Sequence, residues 1–260
     1  MTERRLLSAR DLISYTLRSI FVNFSTLIGL CAPALLVLVA AVVAARILFP
    51  VAPESQIGEA LPMLAGEALP MLAVATLIAN VVLIPAFTGW HRLLILGDAQ
   101  RDNGRAFGWD RREWRYVGYL LGIWAMMIVV NVVVSLLSMM LAGAGAFTAM
   151  LITLVALAGY LAIWANMGVA LPAAAMNDNR RMVEVMALVK GQAGSIAFGL
   201  AGIWALMGIA GFLLVLAVTA MGTAIGSVYI VFVAIMLFYY VGLVASVGVL
   251  SRAYSILSQR

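Results

Sequence analysis

The stretch VGYLLGIWAMMIVVNVVVSLLSMMLA at residues 117–142 contains no charged side chain. Wound as a helix at about 1.5 Å per residue it is roughly 39 Å long, enough to cross about 30 Å of hydrocarbon. Working outward, five more runs share its character, at 25–49, 71–96, 147–171, 195–220 and 225–251. They are built of Leu, Val, Ala, Ile and Met with scattered Gly. None alternates apolar and polar residues as an outer-membrane strand must, so each reads as a spanning helix whose backbone polar groups are satisfied internally. Pro33 and Pro85 fall inside the first two runs and predict kinks there. The whole chain agrees: of its 260 residues 65% are hydrophobic and 10% charged. One soluble core cannot hide that much apolar surface, which excludes a water-soluble globule, a disordered chain and a nucleic-acid-binding domain. The fold class is all-α, a polytopic membrane protein.

The net charge of +5 is spread over short segments flanking the runs. With the N-terminus inside, the cytoplasmic segments hold Arg4, Arg5, Arg10, Arg18, Arg92, Arg101, Arg105, Arg111, Arg112, Arg115, Arg180, Arg181, Lys190, Arg252 and Arg260. Arg46 alone falls toward the other face, near enough to a helix end to snorkel. The first external loop carries Glu54, Glu59 and Glu67 instead, and the other two external turns carry no charge. This asymmetry predicts cytoplasmic termini and, for a bacterial chain, the inner membrane. The first apolar run is longer than a signal peptide's and starts late, so it reads as a retained helix.

Comparing the chain with itself shows a repeat. Gly122-Ile123-Trp124-Ala125-Met126-Met127 returns 80 residues later as Gly202-Ile203-Trp204-Ala205-Leu206-Met207. At the same offset Asp98 meets Asp178, Arg101 meets Arg181, Tyr160 meets Tyr240, and Gly168-Val169 meets Gly248-Val249. The second and third hairpins thus read as copies of one unit, with the first a more diverged copy on the looser echo of Ala79-Asn80 in Ala165-Asn166. The units run over 1–97, 98–177 and 178–260 within one membrane domain. Each is expected to open with an amphipathic interfacial helix. In the first, Leu6, Leu7, Ile13, Leu17, Ile20, Phe21 and Phe24 recur at helical spacing. The second, 101–116, interleaves arginines with Phe107, Trp109, Trp114 and Tyr116. Met182, Val185, Met186 and Val189 mark the third. A separate tandem copy, Gly58–Ala65 followed by Gly66–Ala73, only lengthens the first external loop.

Chemistry is sparse. With one cysteine, Cys31, and one histidine, His91, neither an intrachain disulfide nor a Cys- or His-based metal centre can be built, and no cofactor is expected. His91 reads as an interfacial residue at the end of the second run, with Asp98 as its nearest acid in sequence. The acidic residues Asp98, Asp102, Asp110 and Glu113 are interleaved with arginines, which suits salt bridging and phosphate contact better than metal binding. No phosphate-cradling glycine loop and no His-Glu-x-x-His step occurs, so no catalytic residue is assigned. No ionisable group is expected at mid-membrane depth. Among neutral polar groups within spans, Asn80, Asn131 and Asn166 are the candidates for a substrate path, against the commoner role of bonding between packed helices. Small residues including Gly118, Gly122, Gly199, Gly202, Gly208 and Gly211 permit close helix approach.

Leu171-Pro172-Ala173 at the end of the fourth run, the later Ala187-Leu188-Val189-Lys190-Gly191-Gln192 and the early Asn23-Phe24-Ser25-Thr26-Leu27 together resemble a group of bacterial six-span proteins. These are the YciC-like inner-membrane proteins and the membrane domain of some glycerophosphoryl diester phosphodiesterases. The resemblance implies architecture and no hydrolase activity, since the phosphodiesterase resides in a separate soluble domain. The leading expectation is therefore a non-enzymatic membrane protein whose basic cytoplasmic rim meets anionic lipid headgroups or a protein partner. Arg101, Arg105, Trp109, Arg111, Arg112, Trp114, Arg115, Arg180, Arg181 and Lys190 are its contact candidates. The alternative is a transporter or permease component for a neutral or amphiphilic substrate. A lipid-headgroup enzyme acting through Asp98, Asp102 and Asp110 stands third.

Overall fold

The computed structural model describes residues 7–48, 69–97, 109–141, 145–221 and 228–259. Among these, nine helices follow one another: α1 (Ala9–Val22), α2 (Phe24–Leu48), α3 (Leu69–Leu96), α4 (Arg111–Met140), α5 (Ala146–Met167), α6 (Ala170–Ala175), α7 (Met182–Val189), α8 (Ala193–Met221) and α9 (Val228–Leu257). Six stretches are long and apolar enough to cross a membrane: Phe24–Ala45, Pro70–Leu96, Arg111–Met140, Ala146–Ala175, Ala193–Leu214 and Ile235–Leu257. Their outward side chains, such as Met140, Phe147 and Phe212, stand exposed over a continuous apolar surface that water would not tolerate.

The helices pair as hairpins, α2 with α3, α4 with α5 and α8 with α9. At the centre, α9 touches α1, α2, α3, α6 and α8, while α3 touches α2, α4, α6 and α9. The fourth span is not one rod. It is interrupted after Met167, at Gly168, where any side chain would strike the Trp164 carbonyl and Leu250. The short α6 that follows, ALPAAA, is wholly buried between α3, α4 and α9. It ends in a Schellman turn: Asn177 takes a left-handed φ of 56°, its N–H bonds Ala174 O, and Asp178 N–H bonds Ala173 O.

Among the described residues two short helices lie outside the spans, α1 and α7, where three are expected. Residues 101–108 of the second amphipathic segment lie outside the described residues. Arg111–Tyr116 form the opening turns of α4 itself, started by a capping box in which Asp110 Oδ1 accepts from Arg112 N–H (2.7 Å) and Glu113 Oε2 from Asp110 N–H (2.9 Å). The continuous apolar pattern from Tyr116 onward and this cap extend the helix back past the expected start at 117.

The expected apolar stripe of α1 is divided: Leu7 is buried and Ile13, Leu17 and Ile20 are half-buried, while Phe21 and Phe24 stand exposed. Leu12 and Thr16 are fully buried against α8 and α9. They fit a notch of glycines: a Cβ at Gly199 would lie 3.3 Å from Leu12 Cβ, one at Gly202 2.6 Å from Ile13 Cδ1, and one at Gly248 2.8 Å from Thr16 Cγ2. Small residues let helix backbones approach this closely. Three tethers hold α1 in place. Leu7 N–H donates to Gln192 Oε1 (3.0 Å), Tyr15 O–H to the Leu94 carbonyl at the end of α3 (2.8 Å), and Arg252 pairs with Asp11 (3.3 Å) while lying over the Tyr15 ring.

Candidate functional site

Between the three hairpins lies a cavity of about 330 Å³. Its floor is apolar and buried: Ile84, Leu171, Leu200, Val247 and Leu250. Its mouth is exposed and aromatic, formed by Trp124, Trp204 and Tyr239 with Leu157, which is 51% exposed where Leu171 on the floor is 2%. Phe87, Tyr116, Tyr160 and Trp164 complete an aromatic wall, and no charged side chain is among the lining residues. The repeat places equivalent residues here: Leu120 and Trp124 of α4 face the same space as Leu200 and Trp204 of α8. Counting from Arg111, Trp124 stands about 20 Å along α4, near the middle of that 30-residue helix.

Of the three asparagines read from the sequence, Asn80 lines the cavity, half-buried and with no protein hydrogen-bond partner among the described residues. Asn131 sits beside it: its Oδ1 accepts from Tyr160 O–H (2.5 Å) while its Nδ2 donates to the Met127 carbonyl (3.0 Å). Tyr160 and Met127 line the cavity, and Asn131 does not. Asn166 bonds back to the Ala162 carbonyl of its own helix and is absent from the lining.

Below the floor runs a polar ladder that sequence reasoning missed. Thr88 and His91, one turn apart on α3, face Glu113 and Tyr116, one turn apart on α4. Thr88 Oγ lies 3.1 Å from Glu113 Oε1, and the Tyr116 hydroxyl 3.4 Å from His91 Nε2. Ser251 of α9 commits its proton to the Val247 carbonyl (2.8 Å), so at 2.7 Å it accepts from His91 Nδ1–H. That leaves Nε2 as the acceptor toward Tyr116. His91 is completely buried within the protein, and Glu113 turns inward instead of joining a surface salt-bridge cluster. The spacing Thr88-x-x-His91 against Glu113-x-x-Tyr116 is a helical one, yet nothing in one sequence says that α3 and α4 meet along it. Asp98 and Asp102 lie outside the described residues.

The basic rim is thinner than the arginine count suggests. Arg115 is turned into the protein, donating to the carbonyls of Asp178 and Arg180 and to the Tyr119 hydroxyl (3.1 and 3.0 Å), and so clasps the loop after α6. Arg112 is bonded to Asp110 (2.8 and 2.5 Å), whose carboxyl is held well below the usual carboxylate range chiefly by that guanidinium. Arg180 lies 3.5 Å from Asp178. Burial works to raise the Asp178 carboxyl, but bonds from Arg180 N–H (3.0 Å) and Tyr254 O–H (2.7 Å), with the nearby Arg180 and Arg115 charges, outweigh it and lower its pKa. Arg111, Arg181 and Lys190 are exposed, as are Trp109 and Trp114, whose rings stand 5.3 Å apart. Arg101 and Arg105 lie outside the described residues.

Among the described residues no cluster of three His, Cys, Asp or Glu side chains is placed to hold a metal ion. Fold and site define an all-α protein with six helices long and apolar enough to cross a membrane and, between them, an aromatic cavity. Compared with protein-family models, with curated proteins and with solved structures, the chain matches none. Pro172 lies within α6, Gly191 at the left-handed turn (φ 81°) between α7 and α8, and Asn23 between α1 and α2.

Proposed function

We propose that this protein binds the apolar part of an amphiphile inside the membrane, as a carrier or permease component, without catalysing a reaction on it. The cavity supports this reading: its mouth lies near the middle of α4, it is walled by aromatic side chains, and its volume is at the small end of ligand pockets. On this reading the chain sits in a bacterial inner membrane with both termini cytoplasmic, in keeping with the arginine asymmetry. The test is saturable quenching of tryptophan fluorescence by a chain-brominated detergent in nanodiscs of the purified protein. Trp124, Trp164 and Trp204 line the cavity and report its occupancy. Leu157→Trp, at the exposed mouth, should narrow entry and abolish saturation while leaving the unfolding temperature unchanged. Linear, unsaturable quenching of the native protein would end this reading.

A second role, contact of the basic end with anionic headgroups or an acidic protein partner, is favoured by one further observation. Exposed Arg111, Arg181 and Lys190 lie at the same end of the bundle as the paired rings of Trp109 and Trp114. Each such cation contributes about 1 kcal/mol at an anionic surface. Replacing all three by Gln should remove the preference for anionic nanodiscs by about 3 kcal/mol.

A further inference from the structure

The cavity has a polarity along its length, and from it we infer the class of ligand: a single-chain, uncharged amphiphile ending in a hydroxyl or carbonyl group. It enters tail first, so that its chain lies on the floor and its polar group at the mouth. This inference rests on the binding role proposed above.

Volume sets the first limit. A methylene group needs about the room of a water molecule, roughly 30 Å³, so the cavity of about 330 Å³ holds about ten carbon atoms. That is one alkyl segment or two isoprene units, not the paired chains of a phospholipid. Chemistry sets the second. An ion moved to mid-membrane depth needs a counter-charge, and no lining residue is charged. The polar groups of the wall are instead neutral and of dual role: the Asn80 amide and the Tyr239 hydroxyl, neither with a protein hydrogen-bond partner among the described residues, and Tyr160, held by Asn131. An amide and a phenol both donate and accept, which suits a hydroxyl and equally a carbonyl oxygen.

Position sets the direction. Asn80 and Tyr239, both lining the cavity, stand about 24 and 27 Å from the basic-end termini of α3 and α9, and the Tyr239 ring lies 6.3 Å from that of Trp204 at the mouth. Leu250 and Leu171 close the other end, and Ser246 on that side has its proton committed to the Gly242 carbonyl (2.9 Å). The polar group therefore finds partners at the mouth and the chain finds the apolar floor.

The experiment uses dodecan-1-ol with a photoreactive diazirine at its chain end, in phosphatidylcholine nanodiscs of the full chain. Adducts are mapped by mass spectrometry. Labelling of the floor peptides around Leu171, Leu200 and Leu250 is expected to saturate, and to be competed at least tenfold better by dodecanol than by dodecanoate or dodecyltrimethylammonium. Loss of one hydrogen bond in Asn80→Leu should weaken competition by dodecanol roughly five- to tenfold and leave competition by dodecane unchanged. Equal competition by the charged chains, or equal weakening of dodecanol and dodecane, overturns the inference and leaves the binding role standing. Absence of any saturable labelling removes both. Asn80→Gln keeps the amide and should retain most of the dodecanol preference, which separates a lost hydrogen bond from a disturbed fold.

Discussion

The docking of α1 on the glycine notch makes a prediction whose size follows from the geometry. At Gly248 a Cβ would sit 2.8, 3.0 and 3.3 Å from Thr16 Cγ2, Oγ1 and Cβ, where carbon atoms in contact prefer about 3.5–4.0 Å. Thr16 is β-branched and fully buried, so it has no alternative place to swing. Gly248→Ala should therefore cost about 1–3 kcal/mol of overpacking, offset by up to about 1 kcal/mol of improved helix propensity. Gly248→Leu gains nearly the same propensity but adds three further carbons against Thr16, and should undock α1. Hydrogen exchange of the α1 amides in nanodiscs reads this directly: a loss of about 1.4 kcal/mol in docking accelerates exchange about tenfold, while the core amides of α8 and α9 stay protected. Gly194→Ala and Gly208→Ala, where an added Cβ meets nothing within 4 Å, should leave α1 exchange unchanged. Thr16→Ala removes both clashing branches together with a buried hydroxyl that has no partner, and should restore protection to Gly248→Ala. If α1 exchanges in Gly248→Leu as it does in the native protein, the notch does not hold this helix and the packing argument fails.

Three other outcomes are expected. Arg115→Ala releases the carbonyls of Asp178 and Arg180 and should lower stability by about 2 kcal/mol, read as a fall in unfolding temperature that Arg115→Lys only partly prevents. Because the Asp178 carboxyl is lowered in the folded protein, its contribution is complete above the ordinary value of about 3.9 and is lost as pH falls through the folded value. The fall in unfolding temperature between about pH 6 and pH 3 should accordingly be smaller in Asp178→Asn than in the native chain. His91→Phe strands the Tyr116 hydroxyl in a buried site, Ser251 keeping its bond to the Val247 carbonyl, and should cost about 1–3 kcal/mol, whereas His91→Gln, able to keep one bond, should cost less by the same unfolding measurement.

What made the spans legible was solvent chemistry acting on each segment separately. A run such as 117–142 must be helical and apolar whatever surrounds it, because the bilayer offers its backbone no partner. The glycines at 199 and 202 were legible as places of close approach, though not that α1 of the same chain is what approaches. Asn131 drew notice as a polar group near mid-span, yet it reaches the cavity only through Tyr160. Arg115 and Arg111 looked alike in sequence. One clasps the loop after α6 and the other stands free at the surface, because only Arg115 falls one turn from Tyr119 on the side facing Asp178.

The sequence by itself therefore determined how many helices are long and apolar enough to cross a membrane and their approximate ends, since these follow from local hydropathy. Only the tertiary structure decided that His91 and Glu113 are buried, that Asn80 and not Asn166 meets a cavity, and that α1 is a packed element of the bundle. The physical reason is that a helix's apolar surface in a lipid-facing sequence carries no mark of which side meets protein. Lipid and protein interior are equally oily, so the choice between them is made by shape, at contacts between residues far apart in the chain.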